Sequence, residues 1–274
     1  MLIIYDFTPR ITIFSDNITT LESLLIYAMK TILYQSDYLG NGFEFATINQ
    51  PDDYEGKVVA TVIRKQCSMP SNKAVLHVHG FNDYFFQSDM AHRFNEKEYH
   101  FYAIDLRKYG RSTLPHHKSN NMRSLTEYFA DLDEALDIIR QEGNEQVLLS
   151  GHSTGGLLVT LYASERVGNE KFDTIFCNSP FYDMNMPGYQ KRLLVPLVAL
   201  FGKYFPDVLL PGKISEWYGH SLHGEKKGEW DYNLVWKPHL VPALNAGWIS
   251  AIHQGHTKIK KGIILTRPIL VMHA

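Results

Sequence analysis

Five residues, Gly151-His152-Ser153-Thr154-Gly155, constrain this chain more than any other stretch. They follow the apolar run 146–150 and lead into Gly156-Leu157-Leu158-Val159-Thr160-Leu161. The pattern predicts a buried strand, a tight corner and a helix. Such a corner demands glycines, because a side chain at 151 or 155 would collide with the neighbouring strand or helix. A serine at its tip has its hydroxyl pushed into the open at the top of a sheet. The helix that begins there aims free N–H groups and the positive end of its dipole at the same point. An ordinary tight turn is the bland alternative, since G-x-S-x-G also arises by chance. The strand and helix on either side favour a nucleophile.

Bulk properties narrow the setting. The chain has 274 residues, 45% hydrophobic, which suits one large α/β domain with room for an insertion. Its net charge of −2 is spread through mixed signs, so neither a nucleic-acid partner nor a disordered acidic tail is expected. The two cysteines, Cys67 and Cys177, lie far apart and fit reduced thiols in a cytoplasmic setting better than a disulfide framework. The start, Met-Leu-Ile-Ile-Tyr-Asp, has neither the basic region nor the cleavage site of a signal peptide. The apolar runs 24–34 and 193–201 are too short to span a bilayer.

Along the chain, residues 1–41 read as a leader with helical character near 21–33. A hairpin is expected from 42–49 and 57–65, and buried strands from 74–78, 100–106, 174–178 and 269–272. A helix is expected over 83–95 and a clearer one over 124–140. Ser124 and Glu127 form the latter's capping box, and Gly143 its stop. Strands alternating with helices predict a mainly parallel sheet covered on both faces. Residues 42–186 form the core on this reading. Residues 187–262, which break the rhythm, are an inserted helical lid at the carboxyl edge of the sheet, and 263–274 return to the core.

Four blocks in this order resemble the α/β-hydrolase superfamily. They are His79-Gly80-Phe81, the run Asp105-Leu106-Arg107-Lys108-Tyr109-Gly110-Arg111-Ser112, the Gly151–Gly156 corner and the run Pro268-Ile269-Leu270-Val271-Met272-His273. The branch they look most like holds monoacylglycerol lipases, lysophospholipases and serine aminopeptidase-like hydrolases. The resemblance spans 42–274, more weakly through the insertion. It implies an α/β-hydrolase fold with Ser153 as the nucleophile. It also implies that the acid follows the strand at 268–273 and the histidine one strand later. Both would then lie beyond Ala274, and the last strand and helix of the fold would be absent.

A serine hydroxyl needs a base to take its proton and preorganised donors for the oxyanion. The backbone N–H of Thr154 is one donor by the geometry of the corner, and Phe81 matches the family's second. Gly80 lets that backbone come close. His79 resembles the family's structural histidine, which orients the oxyanion loop. His152 is expected to direct its ring away from Ser153 and to serve packing. Asp183, after the strand 174–178, is the best candidate for an acid inside the chain, against the plainer reading of a turn or cap. Asp105 and Arg107 read as a buried ion pair or loop brace. His253 and His256 share a helix face, but no carboxylate or cysteine is in register, so a polar lid face explains them better than a metal. No G-x-x-x-x-G-K-[ST] or G-x-G-x-x-G occurs, so no nucleotide cofactor is expected.

The insertion is rich in apolar residues, from Leu193 to Phe201 and again around Phe205, Val208, Leu209 and Leu210, beside Lys191-Arg192. They read as a lid helix packed on the core, as the wall of an acyl pocket, or as a face that touches a lipid surface. The expected activity is hydrolysis of a small apolar ester or lysolipid. The alternatives are a peptidase, thioesterase or lactonase of the same fold, or a binding protein that has kept only the scaffold.

Overall fold

A computed structural model describes residues 32–211 and 216–273. The helical character expected at 21–33 falls outside these residues but for Ile32 and Leu33. The elements are β1 Gln35–Ser36, β2 Glu44–Asp53, β3 Gly56–Lys65, β4 Lys73–Val78, α1 Ser88–Glu96, β5 His100–Asp105, α2 Phe129–Gln141, β6 Gln146–His152, α3 Thr154–Glu165 and β7 Thr174–Asn178. After β7 come α4 Val195–Tyr204, α5 Trp217–Leu222, α6 Ala246–Lys260 and β8 Ile269–Met272.

The strands form one sheet in the order β1-β2-β3-β5-β4-β6-β7-β8. Pairing is antiparallel from β1 to β5 and parallel from β5 onwards. Within the parallel half, β4 is covered on both faces, but β8, expected as a buried strand, has all four residues exposed, because it lies at the sheet edge and pairs only with β7. Ala74, Val75, Leu76 and Val78 of β4 are wholly buried, which is why they read as one apolar run rather than an alternation. This is the α/β-hydrolase fold that the four sequence blocks imply.

Local signals set the helices. Ser124 and Glu127 make the capping box, the first turn is tight, and α2 follows. Leu132, Ala135, Leu136 and Ile139 then turn one face inward. Gly143 ends the run at φ +88°. The helix expected over 83–95 starts only at Ser88. Residues 81–87 are held instead as a loop, because Asp105 Oδ1 accepts from Phe85 N at 2.8 Å and Tyr84 and Phe85 are wholly buried. A tertiary hydrogen bond has outweighed helix propensity there.

Two segments differ from their expected places. Residues 34–41, read as leader, join the sheet through β1, and Asp37 forms a buried ion pair with Arg111 at 2.7 Å. Helix α6, read as part of the lid, packs against α3. A Cβ at Gly255 would meet the side chains of Leu157 and Leu161. No helix among the described residues is long and apolar enough to cross a membrane.

Candidate active site

The corner after β6 is drawn tight by its neighbours. Ser153 N donates to Asn178 O at 3.1 Å, and Ser153 O accepts from Phe181 N at 2.9 Å. The carboxyl end of β7 and the loop after it therefore hold the serine from both sides. Ser153 adopts φ +53° and ψ −117°, a region that side chains rarely occupy. Such strain persists only where the surroundings over-determine it, and it gathers at functional sites. Close approach explains the flanking glycines. A Cβ on Gly155 would lie 2.4 Å from the carbonyl oxygens of both Val78 and His79, and one on Gly151 would lie 2.5 Å from Gly155 O.

The turn after β4 faces this corner. A Cβ at Gly80 would come within 3.2 Å of Ser153 Cβ, so the two backbones nearly touch. His79 is buried beneath them. Leu106 N donates to its Nε2 at 3.1 Å, so Nδ1 carries the hydrogen and donates to Gly80 O at 2.7 Å. Both ring nitrogens are committed to backbone, one to the Gly80 turn and one to the end of β5. Among the described residues, the backbone N–H groups of Phe81 and Thr154 have no acceptor within the fold. Helix α3 begins at Thr154, where the first N–H groups lack intrahelical partners.

Ser153, Thr154, Gly80 and Phe81 open into one cavity of about 590 Å³. That lies within the size of small-molecule sites, roughly 300–1,000 Å³. Phe181, Met184, Met186, Val241, Leu244 and Trp248 supply its apolar wall. The ring of Trp248 packs 4.9 Å from that of Phe81. A second cavity, of about 500 Å³ and edged by Asn120, Asn121 and Asn245, shares Phe81, Leu244 and Trp248 with the first.

The histidines near Ser153 are spoken for or unsuited. His152 belongs to the cavity wall rather than turning fully away, and burial pushes its pKa down. No hydrogen bond joins it to Ser153 among the described residues. His77 lies buried in β4 beneath the site, with its pKa pushed down to about 3 by burial. His256 is buried, not on a polar lid face, and its Nε2 donates to Phe181 O at 2.7 Å. The sequence spacing that put His253 and His256 on one helix face could not show which face the core would cover. Asp183 is exposed and is not part of the cavity. Lys191 Nζ donates to it at 2.7 Å and Lys260 Nζ at 3.3 Å, and the Lys191 bond leads in holding its pKa at about 2. Among the described residues no histidine hydrogen-bonds that carboxylate. No three metal-ligating side chains converge among the described residues.

One ion pair at the site escaped the sequence reading. Asp83 and Lys237 meet in a buried ion pair of 2.7 Å on the cavity wall. His239 also faces the cavity. Its ring lies 4.9 Å from that of His220 and 5.2 Å from that of His223, and neither of its nitrogens has a partner among the described residues. The expected ion pair at Asp105 and Arg107 is two pairs: Asp105 binds Arg111 at 2.8 Å, and Arg107 binds Asp131 at 2.6 Å.

The profile of the serine aminopeptidase S33 family matches residues 69–274. No curated protein matches the chain in sequence. Its fold is similar to that of a monoglyceride lipase from Saccharomyces cerevisiae, solved with a substrate analogue. The two are 17% identical, with a TM-score of 0.59 over 90% of this chain and 78% of the other. It is similar also to a monoacylglycerol lipase from Paleococcus ferrophilus, at 18% identity and a TM-score of 0.55 over 77% and 76%. A thermostable carboxyl esterase from Bacillus coagulans, at 15% identity, gives a TM-score of 0.58 over 82% and 78%. The matched profile takes in the Gly80 turn, the Ser153 corner and β8, and the chain thus belongs to the serine aminopeptidase S33 family of α/β-hydrolases.

Proposed function

We propose that the protein is a serine hydrolase of carboxylic esters with an apolar acyl group. Ser153 Oγ attacks the ester carbonyl, and the backbone N–H groups of Phe81 and Thr154 hold the oxyanion. The alcohol leaves, and water then hydrolyses the acyl-enzyme. The observation that carries this reading is the strained Ser153, which lines one largely apolar cavity together with Phe81 and Thr154, whose backbone N–H groups have no acceptor among the described residues. Each such donor is worth about 2.7–4 kcal/mol in the transition state.

The base and the acid are proposed to come from residues outside 1–274, because no histidine hydrogen-bonds Ser153 among the described residues and the buried His79 and His256 are committed to backbone. A serine without a proton acceptor is a poor nucleophile. Residues 1–274 alone should therefore turn over p-nitrophenyl butyrate far more slowly than a form that continues beyond Ala274. Equal rates would remove this part of the proposal. Failure of a fluorophosphonate to label Ser153 in the longer form would remove the nucleophile and favour a binding protein.

The family's description favours a second reading, cleavage at a peptide N-terminus. A peptidase of that kind needs a free carboxylate to hold the substrate's ammonium group. The cavity carboxylate, Asp83, is already neutralised by Lys237. That balance favours the ester. Chain-length and leaving-group profiling separates esters, thioesters, lactones and peptides. Beside the cavity-bearing core, Leu193, Leu197, Leu200, Phe201 and Phe205 are exposed next to Lys191 and Arg192. We assign this face to transient contact with a lipid surface that presents the substrate.

A further inference from the structure

The loop that carries Phe81 is tied to the segment 230–239 at four successive points. Asn82 Nδ2 donates to Pro238 O at 3.2 Å. Lys237 Nζ donates to Asp83 Oδ1 at 2.7 Å. Asn233 N donates to Tyr84 Oη at 2.7 Å, and the rings of Tyr84 and Trp236 meet at 5.2 Å. Phe86 packs on Tyr232 at 5.0 Å, and the Lys237 ammonium lies 5.5 Å from the centre of each of these rings. The segment 230–239 contains no helix or extended strand of its own. It hydrogen-bonds internally around Asn233, and these ties join it to the core loop.

Of the four ties, the ion pair is the one whose loss reaches furthest. Both partners are less than a tenth exposed, so each depends on the other for its charge. The residue between the oxyanion position and the ion pair, Asn82, sits at φ +49°. Asparagine enters that left-handed region more readily than other side-chain-bearing residues, so contacts to its side chain settle the path of the loop. Pro238 O and Asn120 Nδ2 hold the Asn82 side chain, and Lys237 holds the next residue.

We infer that Lys237 is a positioning residue: its ion pair with Asp83 locks the 81–86 loop so that the Phe81 N–H stays aimed where the oxyanion forms. The inference rests on the serine hydrolase reading for its catalytic consequence, but the lock itself is independent of it. Segment 230–239 thereby does more than wall the cavity. It sets the geometry of a donor contributed by a residue more than 150 positions earlier in the chain.

Two variants separate the lock from simple destabilisation. Lys237→Met strands the Asp83 charge in a buried site, so it should lower both the melting midpoint and kcat. Asp83→Asn combined with Lys237→Met removes the stranded charge, so the midpoint recovers. The lock is still missing, so kcat stays low while KM for a short soluble ester holds. A misplacement of about 1 Å costs roughly 10²-fold in rate, and that is the loss expected. In the same double variant, amide hydrogen exchange across 81–86 should quicken, although position 237 is remote in sequence. Recovery of kcat together with the midpoint, or unchanged exchange across 81–86, would overturn the inference. If the unaltered natural protein turns over no ester, the serine hydrolase reading fails, and the exchange measurement alone decides the lock.

Discussion

Replacing Gly155 with alanine is the sharpest test of why the corner is built as it is. The added Cβ would sit 2.4 Å from two backbone carbonyl oxygens, those of Val78 and His79. An ordinary contact begins near 3.4 Å, so about 1 Å must be opened. Neither oxygen can swing aside, because both belong to the backbone at the end of β4, a wholly buried central strand. The helix start has to retreat instead, and it carries the Thr154 N–H with it. Overpacking of this kind costs about 1–3 kcal/mol. In a chain of this size each kcal/mol lowers the melting midpoint by roughly 2–4 °C. The displacement also costs roughly 10²-fold in turnover, because a reacting group is misplaced by about 1 Å. Gly188→Ala is the control, since nothing lies within 4 Å of its added Cβ. Differential scanning calorimetry gives the first quantity, and ester turnover by the natural protein gives the second. A Gly155→Ala protein that melts and reacts like the Gly188→Ala control would refute the steric argument for the corner.

Three further outcomes are expected. Ser153→Gly should abolish turnover and fluorophosphonate labelling without lowering the melting midpoint, because glycine tolerates φ +53° at no steric cost; a clear loss of stability would show that the serine is not strained. His77, buried with a folded pKa of about 3, binds fewer protons folded than unfolded once the pH falls below about 6.5. The stability it contributes is thus complete above the unfolded value and is lost as the pH falls toward 3, by at most about 1.4 kcal/mol per pH unit. Urea melts at pH 7 and pH 5 should show a smaller drop for His77→Gln than for the unaltered protein, and an equal drop would contradict the assignment. Leu197→Asp with Leu200→Asp should weaken sedimentation with phosphatidylcholine vesicles while leaving turnover of a short soluble ester intact, since both side chains are exposed and outside the cavity; unchanged sedimentation would free that face of a lipid role.

What could be read early follows from physics that acts between near neighbours along the chain. Two glycines around Ser153 announce a corner because the crowding they relieve is local to that corner. Ser124 and Glu127 cap a helix start because the unpaired N–H groups lie within the same turn. The apolar runs of β4 and β6 signal burial on both faces because each strand carries its own pattern. By contrast, the late start of α1 came from a bond between Phe85 N and Asp105, twenty residues away. His256 came to be buried against Phe181, in the loop after β7, a contact that helical spacing cannot foresee.

The amino-acid sequence by itself therefore determined the strand-corner-helix at Ser153, the fold family and the tight turn at Gly80. Each is a short-range steric or hydrogen-bonding demand that a few adjacent residues meet. Only the tertiary structure decided the rest. It paired Asp83 with Lys237, Arg107 with Asp131 and the buried Lys108 with Asp53 and Glu55. It also tied Asp183 to lysines instead of to a histidine. A charge carries no mark of which distant partner it will meet. That choice is made when the sheet and helices close over it and the loss of water forces each buried charge to find its opposite.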